Sequence, residues 1–249
     1  MSATVREVAP GVHLLSHAYV NCYLVEDDDG VTLVDAGLPK VWRPLAEALR
    51  TIGRTPRDLR ALVLTHAHFD HVGVARRLQE RLGLPVWATA EEHQLVAHPY
   101  RYAHENPRAL YPISHPAALP ILAGMARAGA LTVRGTRAVR VLETGKVLDV
   151  PGRPYVVPTP GHTYGHVALH LADRDVVVSG DALVTLDPYT GRTGPRIVAG
   201  AATADSALNL ATLDAIAATG AGTVLPGHGE PWTGGAVAAV EQARAVGPA

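Results

Sequence analysis

The stretch Thr65-His66-Ala67-His68-Phe69-Asp70-His71 directly follows the apolar run Ala61-Leu62-Val63-Leu64. A short apolar run that ends in a turn is typical of a buried β-strand, so three histidines and an aspartate fall where a strand ends. Histidine nitrogens and carboxylate oxygens are ligands for zinc and similar divalent ions. The stretch therefore predicts a metal site at the end of a core strand, with a solvated histidine-rich turn as the alternative.

Three later apolar segments end in side chains of the same kind, each beside a glycine. The three motifs are Gly161-His162 after 155–157, Gly180-Asp181 after 175–178 and Gly227-His228 after 223–225. Glycine permits tight turns that direct a side chain at a common point. Together the four loops supply more donors than one four-coordinate ion needs, and enough for two ions with open positions for water. These donors are His66, His68, Asp70, His71, His162, Asp181 and His228.

The rest of the pattern alternates strands with helices. Apolar segments predict further strands at 12–15, 22–25, 31–34, 86–88, 139–142, 147–150 and 167–171. Apolar residues at helical spacing predict helices at 40–52, 74–82 and 205–219, and an alanine-rich helix at the end of the chain. His71 is expected at the start of the second helix. Thr89-Ala90-Glu91-Glu92 fits the capping-box pattern and predicts another helix start.

Composition limits the classes of protein that the chain can represent. Of 249 residues, 47% are hydrophobic and 18% are charged, which favours a globular chain with a sizeable core. The net charge of -1 gives no basic field for nucleic acid. Residues 1–10 lack the apolar stretch of a signal peptide, and no run reaches the roughly 20 apolar residues of a membrane span. We therefore expect a soluble, cytoplasmic protein that binds neither nucleic acid nor membrane.

A single domain over 1–249 is expected, with a helical, lid-like insertion at about 93–137. The insertion holds histidines and tyrosines among five prolines, which prevent any long helix. Such a segment suits a lid or a pocket wall over a site, and a solvent-facing excursion is the equal alternative. Its histidines and tyrosines are His93, His98, Tyr100, Tyr102, His104, Tyr111 and His115.

Four motifs in order resemble those of the metallo-β-lactamase-fold hydrolase superfamily over roughly 12–232. The motifs are His66-x-His68-x-Asp70-His71, Gly161-His162-Thr163-x-Gly165-His166, Gly180-Asp181 and Gly227-His228. The resemblance implies an α/β (α+β) fold, a four-layer αββα sandwich with the site at one edge of its two sheets. Fold alone does not choose a reaction within such a superfamily.

The resemblance also implies two divalent metal ions, zinc first, with manganese or iron as alternatives. It assigns His66, His68 and His162 to one ion, Asp70, His71 and His228 to the other, and Asp181 as the bridge between them. Asp35 matches a position that supports such a site, and His166 is expected to support it as well because the ligand set is complete without it.

A hydrolase with these ions would use a hydroxide shared between them as the nucleophile, so that no serine or cysteine nucleophile is required. Asp181 would bridge the ions, and Asp70 would bind metal and relay a proton to the leaving group. We expect a small-molecule ester, thioester or lactone as substrate, similar to the substrates of glyoxalase II or quorum-quenching lactonases. Phosphodiester cleavage is the runner-up, and a non-catalytic metal scaffold closed by 93–137 is the other alternative.

Several residues differ from those found at the same positions in particular branches of this superfamily. His68 stands where flavodiiron reductases carry glutamate, which disfavours redox chemistry, and Asp181 disfavours a true β-lactamase. Val184 replaces the tyrosine that such lactonases place three residues after the bridging aspartate. A C-terminal extension rich in lysine and arginine would suggest a glutathione site, and the sequence shows none. The substrate and the oligomeric state therefore stay open.

Overall fold

The computed structural model of the chain describes residues 3–137 and 139–248. A first sheet has the strand order β1-β2-β3-β4-β5-β6-β7. Its strands are β1 (Thr4–Ala9), β2 (Val12–His17), β3 (Val20–Asp27), β4 (Gly30–Val34), β5 (Leu59–Val63), β6 (Val86–Ala88) and β7 (Val139–Val141). Neighbours from β1 to β4 are antiparallel, and neighbours from β4 to β7 are parallel. The carboxyl ends of β4, β5 and β6 therefore lie at one edge of the sheet.

A second sheet has the strand order β13-β10-β9-β8. Its strands are β8 (Tyr155–Pro158), β9 (Val167–Leu171), β10 (Val176–Gly180) and β13 (Thr223–Pro226). β10 and β13 are parallel, and β9 runs antiparallel to β8 and β10. The β8–β9 loop thus lies at the edge where β10 and β13 end. Two further strands, β11 (Val184–Leu186) and β12 (Thr193–Arg196), form a separate hairpin.

Helices cover the outer face of each sheet. They are α1 (Trp42–Thr51), α2 (Ala75–Leu82), α3 (His93–Ala97), α4 (Tyr111–Ser114), α5 (Leu119–Arg127), α6 (Ser206–Ala217) and α7 (Ala236–Val246). Buried residues of α1, α2 and α5 pack on the first sheet, and buried residues of α6 and α7 pack on the second. Among the described residues, no helix is both long enough and apolar enough to cross a membrane.

The two sheets pack face to face because side chains alternate along each strand. In β10, Val176 and Val178 belong to the core between the sheets, whereas Val177 packs beneath α6 and α7. In β5, Val63 faces the second sheet and Leu62 faces the helices of the first. The result is the four-layer αββα sandwich that the resemblance implies.

Some predicted elements differ from the structure. The strand at 147–150 is wrong: Val147 is 52% exposed and makes one isolated bridge with Tyr155, because the segment turns at the surface with only Leu148 buried. His71 precedes its helix rather than starting it, since α2 begins at Ala75. The strands β1, β11 and β12 were not predicted.

Segment 93–137 contains α3, α4 and α5, joined by short irregular stretches. Ile121 and Met125 of α5 pack into the core of the first sheet. Tyr102 and Tyr111 pack instead against residues 184–202, which lie between β10 and β13 of the second sheet. The segment thus contacts both halves of the sandwich.

Candidate metal centre

All seven predicted ligands meet in one buried cluster at the shared edge of the two sheets. Four follow β5 of the first sheet, and three come from loops of the second sheet. None is more than 6% exposed. The parallel pairing of β10 with β13 places Asp181 and His228 side by side, and the β8–β9 loop adds His162.

The carboxylate of Asp181 lies at the centre of this cluster. Its Oδ2 lies 3.2 Å from Nε2 of His228, 3.6 Å from Nε2 of His71 and of His162, and 3.8 Å from Nε2 of His66. Asp70 Oδ2 lies 3.3 Å from His228 Nε2 and 3.9 Å from His71 Nε2. Ligand atoms around a zinc ion lie roughly 3.3–3.6 Å apart. The spacing therefore fits atoms that surround a cation.

Oxygen acceptors outside the cluster orient four of the histidine rings through Nδ1. The pairs are His71 with Asp35 Oδ2 (2.9 Å), His66 with Thr65 Oγ1 (3.1 Å), His162 with Thr203 Oγ1 (3.3 Å) and His228 with the Tyr19 carbonyl (2.7 Å). The hydroxyls of Thr65 and Thr203 donate elsewhere, to Asp35 and to the Val198 carbonyl, so their oxygens accept from the rings. Each ring thus turns Nε2 toward the cluster, as metal ligation requires.

Unpartnered polar atoms also indicate a cation. Among the described residues, Nε2 of His66, Nε2 of His71 and Oδ1 of Asp181 are buried and have no hydrogen-bond partner. Buried polar groups without a partner are costly and call for an explanation. Within the part of the chain that the structure describes, three groups of three ligand atoms lie close enough together to hold an ion: His66, His68 and His162; Asp70, His71 and His228; and Asp35, His66 and His71. The first two groups are the two predicted ligand sets. The residues present therefore fit the two ions that the motifs imply.

The protonation states of the histidines also indicate that the cluster needs positive charge. Burial lowers the pKa of three ligands and keeps them neutral: His66, His68 and, to about 4, His162. Burial acts the same way on His71 and His228, but the carboxylate of Asp181 outweighs it, raising the pKa of His71 well above its usual range and that of His228 to about 10. His71 and His228 therefore carry a second ring proton, and these protons supply the positive charge that a divalent ion would supply in their place.

Backbone conformation brings the loops close together. A Cβ on Gly227 would collide with Asp181 Oδ1 and lie 2.9 Å from His71 Cε1. Asp35 has a φ of 59° and Tyr19 a φ of 68°, in the left-handed region that is unusual for residues other than glycine. Both residues hold a ligand ring, so the strained backbone coincides with the site.

Asp35 and His166 lie next to the ligands rather than among them. Asp35 accepts from the backbone N–H and the hydroxyl of Thr65 as well as from His71. His166 Nε2 accepts from the backbone N–H groups of Asp181 and Ala182, at 3.1 and 3.2 Å, so it holds the Asp181 loop.

Glu92 is a buried residue of the site that the sequence analysis missed. The predicted helix start is confirmed, because a 3-10 turn over Ala90–Glu92 continues directly into α3, but the capping box does not form, since Thr89 makes no cap hydrogen bond. Glu92 instead accepts from the N–H groups of Ala67 and Gly165, and the Thr89 hydroxyl donates to the Gly165 carbonyl. The spacing of Thr89 and Glu92 is visible in the sequence, but it indicates a local helix cap and not a contact between two loops.

Two tyrosines cover the cluster. Tyr102, from the insertion, packs on the ring of His68 with centroids 3.9 Å apart and ring planes tilted by 35°, and its hydroxyl lies 3.3 Å from that of Tyr189. Arg108 packs on the other face of Tyr102, with its guanidinium 3.9 Å from the ring centre. Beneath them the cavity at the ligands is about 10 Å³, which is room for roughly one water. A larger cavity of about 410 Å³ adjoins Tyr19 and is not lined by any of the seven ligands.

The model of the metallo-beta-lactamase superfamily matches residues 17–228, and the chain belongs to this superfamily. It is 29% identical to the probable metallo-hydrolase YflN of Bacillus subtilis (strain 168) over 190 residues, which are 73% of this chain and 67% of YflN. It is 27% identical to the hydroxyacylglutathione hydrolase GloC of Haemophilus influenzae over 173 residues, 66% of each chain. The chain spans about two thirds of the length of the curated relatives it matches, from 61% to 67% for four of them.

Solved structures agree with this assignment. The metallo-beta-lactamase family protein TTHA1429 from Thermus thermophilus superposes with a TM-score of 0.67 at 28% identity, over 94% of this chain and 78% of that one. TTHA1623, solved in a di-iron-bound form, gives a TM-score of 0.58 at 31% identity, over 86% of this chain and 89% of that one. The αββα sandwich predicted from the motifs is confirmed.

Proposed function

We propose that the protein is a hydrolase that uses two divalent metal ions to cleave a small ester, thioester or lactone. The observation that carries this proposal is the position of Asp181 Oδ2, within 3.2 to 3.8 Å of a ring nitrogen of each of four histidines. A carboxylate surrounded by imidazoles suits a bridge between two cations. His66, His68 and His162 would hold one ion, and Asp70, His71 and His228 the other, with Asp181 shared.

Two such ions, when bound, lower the pKa of a coordinated water and polarise a carbonyl oxygen. The protein's own residues do the rest. Asp35, Thr65, Thr203 and the Tyr19 carbonyl fix the ligand rings, while Tyr102 and Tyr189 exclude bulk water. Asp70, which lines the small cavity, would relay a proton through Oδ2 to the leaving group. Cys22, the only cysteine, is buried in the core beneath α1, where burial raises the pKa of its thiol, so it is not the nucleophile.

Among the candidate substrates, a thioester has support from a relative. GloC is named for hydrolysis of hydroxyacylglutathione, in which the acyl group is bonded to sulfur. We propose zinc as the metal, and the di-iron-bound form of TTHA1623 supports iron as the alternative.

The small cavity gives specific support to a second candidate, a non-catalytic metal scaffold. A space of about 10 Å³ cannot hold an acyl group, so a hydrolase must move Tyr102 or Tyr189 to admit its substrate. A scaffold needs no such movement.

Metal analysis and a hydrolysis panel test these proposals together. The full chain, loaded with zinc or with iron, is expected to bind two ions per chain and to hydrolyse at least one small thioester, ester or lactone, and chelation should abolish turnover. One ion per chain would contradict the two-ion site. Full loading without turnover of any carbonyl substrate or phosphodiester would favour the scaffold, and turnover of the phosphodiester alone would overturn the carbonyl assignment.

A further inference from the structure

Glu92 connects two ligand loops that belong to different sheets. It follows β6 and is 2% exposed. Its Oε2 accepts from the Ala67 N–H at 2.8 Å, and its Oε1 accepts from the Gly165 N–H at 3.1 Å. The first loop belongs to the first sheet and the second loop to the second, so one carboxylate fixes the distance between them.

Both hydrogen bonds of Glu92 are made to loops that carry ligands of the same group, His66, His68 and His162. Ala67 lies between His66 and His68, and Gly165 lies three residues after His162. Among the described residues, the hydrogen bonds of Glu92 reach neither the loop of Asp181 nor that of His228. Asp35, by contrast, bonds directly to His71.

The backbone at Gly165 is shaped around this contact. A Cβ there would lie 2.5 Å from Thr89 Oγ1 and 2.8 Å from both Cγ and Oε1 of Glu92. The Thr89 hydroxyl donates to the Gly165 carbonyl at 2.7 Å and adds a third bond across the same gap. Glycine is therefore needed at this position for Glu92 to reach both loops.

We propose that Glu92 is the positioning residue for the ion held by His66, His68 and His162, and that its loss weakens this position while leaving the Asp70, His71 and His228 position in place. Glu92 touches neither an ion nor a substrate and acts through the backbone of the ligand loops. The inference rests on the ligand assignment of the proposed function. A carboxylate is required because two N–H donors need two acceptor oxygens, and the amide of glutamine offers only one.

The test is Glu92→Gln in the full chain, with Glu91→Gln as the matched control because Glu91 is the exposed neighbouring carboxylate. Stepwise affinities for cobalt are measured by chelator competition and by the visible spectrum. For Glu92→Gln, one of the two affinities should fall about 10- to 100-fold, while the other changes less than about threefold. The Glu91 variant should match the wild type in both affinities.

Two reference variants identify the weakened position. His162→Ala removes a ligand of one group, and Asp70→Asn removes a ligand of the other. Singly loaded Glu92→Gln should share its cobalt spectrum with His162→Ala. If Glu92→Gln does not fold, Glu92→Asp keeps the charge but is one methylene too short to span both loops, and the same loss is expected.

Equal loss at both positions, no loss at either, or a spectrum that matches Asp70→Asn would overturn the role of Glu92. Failure of the wild type to bind two ions would instead overturn the proposed function, so the two failures are distinguishable.

Discussion

The cluster of predicted ligands and the two tyrosines above it, Tyr102 and Tyr189, are held by different kinds of contact. These two tyrosines are called the cover below. Ligand rings such as His71 and His228 bond through Nδ1 to acceptors on strand-end loops, at 2.9 and 2.7 Å. The cover depends on the packing of the Tyr102 ring against His68 and on a hydroxyl pair 3.3 Å apart. The hydrogen bonds of the cluster join loops of both sheets, whereas the cover is held by one ring contact and one long hydroxyl contact. We therefore expect the cluster to control the chemistry and the cover to control access.

The largest effect should follow a change at the centre of the cluster. Asp181→Asn keeps the shape but removes the charge shared by four histidines. Turnover should fall on the order of 10³-fold or more, because groups that act as a unit lose most of their effect together. Steady-state kinetics and metal content check this prediction. It would be contradicted if Asp181→Asn bound two ions and turned over substrate at the wild-type rate.

A change in packing beside the cluster should have the next largest effect. A Cβ in Gly227→Ala would collide with Asp181 Oδ1, so metal affinity should fall about 10- to 100-fold. Gly220→Ala is the control, because its Cβ meets no atom within 4 Å and its φ of 65° costs only about 1–2 kcal/mol of folding stability. Chelator competition on both variants is the measurement. Similar metal affinities in the two variants would contradict this prediction, because the loops would then have moved apart to admit the added methyl group.

A change in the cover should affect substrate choice more than metal binding. Tyr102→Ala removes the ring over His68, so kcat/KM for a bulky thioester relative to a small one should rise about tenfold. Tyr102→Phe removes only the hydroxyl contact, and a change of a few-fold at most is expected. Both variants should bind metal like the wild type. An unchanged substrate ratio in Tyr102→Ala would show that access does not depend on this ring.

The smallest effect concerns a network remote from both regions. Burial opposes ionisation of Glu26, but bonds from Arg54 and His13, at 2.9 and 2.8 Å, outweigh it and hold the pKa of Glu26 below its usual range. Because the folded-state pKa is lowered, this stabilisation is present above the unfolded pKa and is lost as pH falls through the folded one.

Glu26→Gln should cost less than about 1 kcal/mol near neutral pH, since the side chain is 21% exposed and partly screened. Urea unfolding of both proteins at about pH 7 and about pH 3.5 measures the difference, which should shrink at the lower pH. A difference that grows on acidification would contradict the assigned pKa direction. Metal affinity should be unchanged, because the network contacts neither the cluster nor the cover.

The same contrast explains what the sequence could predict. The ligands follow strands whose apolar runs are visible in the sequence, and parallel pairing then brings the strand ends together. Asp35 was expected near the site because it matches a position of the superfamily, and His166 because the ligand set is complete without it; both lie beside the predicted ligands. The hairpin β11–β12 was missed because its strands are three and four residues long and Gly194 interrupts the pattern.

Tertiary contacts of polar side chains were not predictable from local patterns. The spacing of Thr89 and Glu92 is the same whether they cap a helix or join two loops, because the sequence does not show which N–H groups will lack partners. Tyr102 and Tyr189 are 87 positions apart and meet only in the folded chain. Of the residues noted in the insertion, Tyr102 alone lines the cavity at the ligands.

The division of the ligands between two sheets has a consequence for unfolding. A metal ion held by His66 and His68 from the first sheet and His162 from the second binds only when both sheets are in place. Such an ion adds its binding free energy to the folded state and nothing to a state in which either sheet has opened. Bound metal would therefore act as a removable cross-link between the two sheets, in addition to their shared apolar core, and chelation would make their unfolding less cooperative.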